Sequence, residues 1–138
     1  MRNIQDPILY FFSLGVAGTG ISGSDRIFIE FARRWNKENQ IKIYTSSEGK
    51  ILLKKQGLAG KNLVVTQIQN ERFFESFFLN YLYKVFQGIK LGFSLKLPEN
   101  KVVNSYLYSC SEFWMDSLPA FILKLRYPKI TWVAAWYQ

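Results

Sequence analysis

The sequence predicts a single domain of the α/β class, in which a parallel sheet is covered by helices on both faces. Apolar runs typical of strands alternate along the chain with segments of helical periodicity, and this order favours parallel strands joined by crossover helices. The first apolar run, residues 8–14 (ILYFFSL), is continuous, as is typical of a strand buried on both faces. A length of 138 residues fits one domain, which we expect to span residues 1–138.

A loop of small residues leads from the first strand to the first helix. Ser22 and Asp25 are spaced as a capping box, with Asp in place of the usual Glu, so we expect the helix to begin here. Residues 41–45 (IKIYT) are the second predicted strand, and residues 48–56 are a basic helix that ends before Gly57. Within the first helix, apolar residues recur at helical spacing opposite a charged face: Ile27, Phe28, Phe31, Ala32 and Trp35.

The second half of the chain repeats the alternation. Residues 62–68 (NLVVTQI) predict the third strand, and a long helix dense in Phe and Tyr is expected from residue 71 to about residue 88. A linker punctuated by glycine and proline, residues 92–100, precedes the fourth predicted strand at 103–109. The last helix is expected at 113–126, where Pro119 predicts a late start or a kink, and the fifth strand at 130–136.

Charge and composition limit the possible functions. The chain carries 18 Lys and Arg against 10 Asp and Glu, a net charge of +8, which favours phosphate-bearing ligands, nucleic acid or an anionic membrane surface as partners. Nucleic acid is the least favoured of these, because no motif for base stacking accompanies the charge. The absence of histidine and the single cysteine, Cys110, exclude histidine-based catalysis and predict no metal site. One cysteine forms no intrachain disulfide, which fits the cytoplasm.

The loop at residues 15–24 (GVAGTGISGS) lies between a buried strand and a helix N-terminus. Backbone N–H groups in such a position can bind a diphosphate, and residues 18–23 match the G-x-G-x-x-G pattern of dinucleotide-binding folds. However, the second strand ends in Tyr44-Thr45-Ser46-Ser47 without the acid that binds a ribose, and Glu48 comes slightly too late. A domain of an NAD(P)-dependent oxidoreductase and a non-catalytic α/β interaction module therefore both stay open as alternatives.

Several segments resemble the N-terminal domain of GT-B glycosyltransferases of the group 1 (GT4-like) type. Residues 23–28 (GSDRIF) and 30–33 (EFAR) are similar to the glycine-rich loop and first helix of that family, and residues 41–45 to its second strand. A second set of segments resembles the family's fourth strand, the loop and helix that follow it, and the fifth strand. These segments are residues 108–113 (YSCSEF), 116–120 (DSLPA) and 128–134 (PKITWVA).

The resemblance implies two Rossmann-like domains that face a cleft, with the nucleotide-sugar donor mainly on the C-terminal domain and the acceptor on the N-terminal one. This chain corresponds to an incomplete N-terminal domain, because the family's C-terminal E-x7-E region has no counterpart in it. We therefore expect it to act with a C-terminal GT-B domain, on the same chain or a separate subunit. The complete enzyme would transfer a sugar from a nucleotide-sugar to a glycan, lipid or small-molecule acceptor without a catalytic metal.

The resemblance also supplies candidate site residues. The donor diphosphate is expected near Gly20, Ser22, Gly23 and Ser24, with a positive φ angle at Gly23. The acceptor side of the cleft is expected at Ser111, Glu112, Asp116, Trp136 and Tyr137, although many relatives carry a histidine where this chain has Trp136-Tyr137. No catalytic residue is assigned. Asp25 and Asp116 could be catalytic carboxylates, but a helix cap and a polar loop residue are the default interpretations.

Two further surfaces have alternative interpretations. The aromatic residues of the long helix either pack in a core and against other protein, or lie on a membrane together with a basic cluster formed by Lys50, Lys54, Lys55 and Lys61. That cluster is solvated surface in the first interpretation and contacts anionic lipid in the second. The chain lacks an apolar run of about 18 residues, so no membrane-spanning helix is expected. We expect a cytoplasmic protein, associated with the cytoplasmic face of a membrane if the second interpretation holds.

Overall fold

The computed structural model describes residues 7–16 and 21–136. Five strands form one parallel sheet: β1 (Ile8–Ser13), β2 (Gln40–Thr45), β3 (Leu63–Gln67), β4 (Tyr106–Ser109) and β5 (Thr131–Ala134). Four α-helices connect them: α1 (Gly23–Trp35), α2 (Ser47–Lys55), α3 (Phe77–Ser94) and α4 (Trp114–Arg126). The strand order β3-β2-β1-β4-β5 is that of a Rossmann-like fold, so the predicted α/β class is confirmed.

The central strand β1 separates two hydrophobic layers. No residue of β1 is more than 2% exposed, as its continuous apolar sequence predicts. Its side chains alternate, so that Leu9 and Phe11 pack with residues of α1 and α2, whereas Tyr10 and Phe12 pack with residues of α3 and α4. The two helix pairs therefore cover opposite faces of the sheet.

The start of α1 follows the sequence, but its buried face does not. Ser22 and Asp25 form the predicted capping box. The helix rests on the sheet through Phe28, Ile29 and Ala32, all buried. The predicted apolar residues Ile27, Phe31 and Trp35 are instead more than 40% exposed, because burial of Ile29 turns them towards solvent; the Phe31 ring packs on Trp35 and Tyr108.

The prediction for α3 was wrong at both ends. Residues 71–76 precede the helix rather than form its first turns. The Asn80 side chain accepts a hydrogen bond from the Phe74 N–H and donates one to the Phe74 carbonyl, and these bonds hold the segment outside the helix. At the other end α3 continues through Gly88 to Ser94, so the expected linker at 92–100 begins later. A six-residue 3₁₀ helix, Glu99–Asn104, then shortens β4, which begins at Tyr106 instead of residue 103.

The glycines that were expected to end α3 are used to pack it against α4. A Cβ at Gly88 would lie 2.7 Å from the Met115 carbonyl oxygen, and one at Gly92 would lie 2.9 Å from Cβ of Ile122. Pro119 lies inside α4, which begins at Trp114, so the predicted late start is wrong. Because proline lacks an N–H group, the Met115 carbonyl loses its helical hydrogen bond, and the bare backbone of Gly88 lies against this oxygen.

The last strand also differs in length from its prediction, since β5 ends at Ala134 rather than at residue 136. Its register against β4 places Tyr106 opposite Thr131 and Ser109 opposite Ala134. In the described part of the chain, none of the helices is both long enough and apolar enough to cross a membrane.

The contact at Gly88 gives a stability prediction. We expect Gly88→Ala to lower the free energy of unfolding by about 1–2 kcal/mol, since overpacking against backbone costs about 1–3 kcal/mol and the helix propensity of alanine offsets up to about 1 kcal/mol. Urea denaturation measures the change. Gly23→Ala is the matched control, because a Cβ there meets nothing within 4 Å. Equal stability of wild type and Gly88→Ala would contradict the close approach of the two helices.

Candidate functional site

A polar cavity of about 140 Å³ lies at the carboxyl ends of β1 and β4. The chain leaves β1 towards α1 on one face of the sheet and leaves β4 towards α4 on the other face, so the segments that follow these two paired strands diverge here. Ligands of open α/β folds bind at such a switch point. The cavity is lined by Ser13, Gly15 and Val16 after β1, by Ser22, Ser24, Asp25 and Phe28 of the α1 segment, and by Cys110, Ser111, Phe113 and Asp116.

The N-terminus of α1 forms one wall of this cavity. The Ser22 hydroxyl accepts a hydrogen bond from the Asp25 N–H at 3.1 Å, and the Asp25 carboxylate accepts one from the Ser22 N–H at 2.9 Å. Asp25 is therefore the N3 residue of the capping box whose N-cap is Ser22, in line with the default interpretation of a capping role. The N–H groups of Gly23 and Ser24, which precede it in the first turn, are the ones left to attract an anion, and the Asp25 carboxylate at the same helix end offsets part of that attraction.

The Ser13 hydroxyl at the end of β1 is buried and unpaired. Ser13 is 1% exposed, lines the cavity, and its Oγ has no hydrogen-bond partner within the described ranges. Only the Tyr10 hydroxyl shares this condition among the described side chains, and Tyr10 faces the opposite helix layer. A buried hydroxyl without a partner is costly, and an ordered water or a ligand group that accepts its hydrogen bond would relieve this cost. The signal in the sequence was a polar residue ending an apolar strand, which sequence reasoning did not use.

Asp116 connects the two strand ends from the opposite wall. Its carboxylate accepts a hydrogen bond from the Gly15 N–H at 3.0 Å and another from the Ser111 hydroxyl at 2.5 Å. Burial raises the pKa of Asp116 to about 7, although both hydrogen bonds act in the other direction. Asp116 therefore exchanges a proton near neutral pH. Burial also raises the pKa of the Cys110 thiol, which makes this cysteine a poor nucleophile.

An apolar groove of about 360 Å³ adjoins the polar cavity and shares Gly15 and Phe113 with it. Its walls also include Phe73, Phe77, Tyr81 and Met115, and the side chains of Arg72 and Lys84 lie at it. Lys84 is 3.7 Å from the Glu48 carboxylate and donates a hydrogen bond to the Val16 carbonyl. Sequence reasoning did not identify this groove, although Phe73, Phe77 and Tyr81 recur every four residues.

The structure brings together only some of the predicted site residues. Ser22, Ser24, Ser111 and Asp116 line the polar cavity as expected for two sides of one cleft. Gly23 adjoins it as the first residue of α1, and the positive φ angle expected there was wrong. A Cβ at Gly23 would meet no protein atom within 4 Å, and the close approach of a phosphate to its backbone stays a prediction.

Two other predicted residues are not among those that line this cavity. The Glu112 side chain is exposed, and Trp136 is 74% exposed and follows the edge strand β5. Gly20 and Tyr137 lie outside the described residues.

Comparisons with protein-family models, with curated proteins and with solved structures found no match. Among the side chains of residues 7–16 and 21–136, no group of three or more His, Cys, Asp or Glu is placed to hold a metal ion. Any functional conclusion therefore depends on the geometry of the cavity and groove and on the sequence resemblance.

The raised pKa of Asp116 predicts a pH-dependent stability. Between about pH 4 and about pH 7 the folded chain keeps a proton that the unfolded chain has released, so the free energy of unfolding falls as the pH rises. Relative to Asp116→Asn, wild type should lose about 2–3 kcal/mol between about pH 5 and about pH 8. Urea denaturation of both proteins measures this difference. A difference that stays constant with pH would mean that Asp116 is ionised throughout.

Proposed function

We propose that this chain is the N-terminal, acceptor-side part of a GT-B glycosyltransferase that transfers a sugar from a nucleotide-sugar. The unpaired Ser13 hydroxyl beside the N-terminus of α1 is the observation that carries the proposal, because together they form an anion-binding corner with an unused donor. The Rossmann-like strand order and the position of the cavity agree with the family resemblance.

The proposed role of the corner is to bind the donor diphosphate. The Ser13 hydroxyl donates a hydrogen bond to a phosphate oxygen, and the first N–H groups of α1 point towards the same charge. In glycosyl transfer the nucleoside diphosphate leaves with growing negative charge, and donors fixed in place stabilise that charge without rearrangement. The nucleoside itself would be held by the C-terminal domain.

The apolar groove suggests which acceptors this enzyme uses. Its aromatic walls favour an acceptor with an apolar portion. Of the acceptors expected from the resemblance, a lipid or an aromatic small molecule therefore fits the groove better than a glycan. Arg72 at the groove suits an acidic group on that acceptor, whereas Lys84 is paired with the Glu48 carboxylate that lines the same groove. Asp116 lies between the two compartments as a positioning residue, since it holds Gly15 and Ser111 together.

A domain of an NAD(P)-dependent oxidoreductase is the second candidate, because the observed strand order is also that of dinucleotide-binding folds. Such folds place a carboxylate after β2 to bind the ribose. Here Glu48 pairs with Lys84, and Glu71 accepts a hydrogen bond from the Ser47 N–H at 2.8 Å. The acids near the end of β2 are thus engaged, which favours the glycosyltransferase.

Replacement of Ser13 tests the anion-binding corner. We expect Ser13→Ala to lower the affinity for inorganic pyrophosphate and for UDP about tenfold, because a hydrogen bond to a charged group is worth about 1.5–3 kcal/mol. Folding stability should not fall, since the lost hydroxyl has no partner among residues 7–16 and 21–136. Isothermal titration calorimetry measures binding, and Tyr10→Phe is the matched control that removes the other unpaired hydroxyl. Unchanged pyrophosphate affinity would contradict the proposal, and micromolar binding of NAD would favour the oxidoreductase.

The absent E-x7-E region gives a prediction about activity. We expect the purified 138-residue chain to transfer no sugar, because the resemblance assigns most donor contacts to a second domain and transfer needs both walls of the cleft. Incubation with radiolabelled UDP-glucose and GDP-mannose, with water or lipid extract as acceptor, measures turnover. Measurable transfer by this chain alone would show that it holds a complete active site.

A further inference from the structure

The outer surface of the α3–α4 layer is unusually apolar. Six large side chains on it are 43–66% exposed, and they define what we call the α3–α4 face: Phe78, Leu82, Phe86 and Phe93 of α3, and Trp114 and Leu125 of α4. Contiguous apolar surface on this scale marks an interaction site in a soluble domain.

Helical geometry places these side chains in two neighbouring rows. Phe78, Leu82 and Phe86 are four residues apart, and Phe93 follows seven residues later, so all four lie along one side of α3. The helices contact each other through Gly88 and Gly92, which leaves those rows on the side away from that contact. The rows lie outside the core, whereas Tyr81, Val85 and Ile89 of the same helix pack in it.

The charge of this layer has one sign. The charged residues of α3 and α4 are Lys84, Lys90, Lys124, Arg126 and Asp116, and Asp116, their single carboxylate, is only 2% exposed. Lys84 pairs with the Glu48 carboxylate, so the cations left on the two helices are Lys90, Lys124 and Arg126, and the exposed Glu112 lies just before α4. Cations beside an exposed apolar surface are the pattern of helices that lie on anionic lipid. A second copy of the chain would bring the same cations together across a two-fold axis, which opposes association.

We propose that the α3–α4 face binds an anionic lipid surface, with both helices parallel to the membrane plane. The basic cluster Lys50, Lys54, Lys55 and Lys61 does not contribute, because α2 and the loop after it lie on the layer that packs against the opposite face of the sheet. This inference does not depend on the proposed glycosyl transfer.

Vesicle sedimentation tests the proposal with variants matched across the two layers. The 138-residue chain is pelleted with vesicles of phosphatidylcholine alone and of phosphatidylcholine mixed with phosphatidylglycerol, at low and high salt. Phe86→Ser is compared with Ile51→Ser, because these side chains are 60% and 57% exposed on opposite layers. Lys90→Glu is compared with Lys50→Glu in the same way. Circular dichroism and urea denaturation verify that each variant folds.

We expect wild type to pellet with the anionic vesicles and to do so less at high salt. Phe86→Ser should weaken partitioning roughly tenfold and Lys90→Glu several-fold, whereas Ile51→Ser and Lys50→Glu should behave as wild type. Loss of binding in the α2 variants instead would overturn the proposal. The absence of vesicle binding would also overturn it. A dimer in analytical ultracentrifugation that dissociates in Phe86→Ser would overturn it too, and would identify a second copy of the chain as the occupant of the face.

Discussion

Burial of β1 on both faces is the constraint on which the rest of this structure depends. A strand without any exposed side needs a layer of helices above and below it and a hydrogen-bonded neighbour at each edge. Because β1 is the first strand and its neighbours are β2 and β4, the chain must cross the sheet between β3 and β4. That crossing creates the divergence at the end of β1, and the polar cavity occupies it.

The two helix layers meet this requirement in different ways. On one side α1 is held by a capping box and buries a narrow apolar row, with charged residues outward. On the other side, Gly88 and Gly92 of α3 pack closely against α4 next to Pro119. Large aromatic side chains of these two helices are exposed. The α1–α2 layer thus mixes charged residues with the exposed Ile27, Phe31 and Trp35, whereas the α3–α4 layer carries few charges. The polar cavity and apolar groove lie at the edge that both layers share.

The sequence predicted what local pattern determines. The apolar run of β1, the Ser22–Asp25 capping box and the parallel topology all follow from residue order and spacing. It did not predict the bounds of α3, because Gly88 ends a helix by local propensity and packs one in this tertiary context. Nor did it reveal Ser13 as a site residue, since an unpaired hydroxyl is recognised only when all possible partners have been placed.

The two walls of the polar cavity are distant in sequence, since Gly15 and Asp116, which hydrogen-bond across it, are 101 residues apart. Closing a loop of this length costs more conformational entropy than closing the crossover of the β1–β2 pair, whose partners are 32 residues apart. The cavity consequently exists only once β4 has paired with β1, and a ligand that bridges its walls favours that closed state by mass action. Occupancy of the site and completion of the sheet are thus thermodynamically linked.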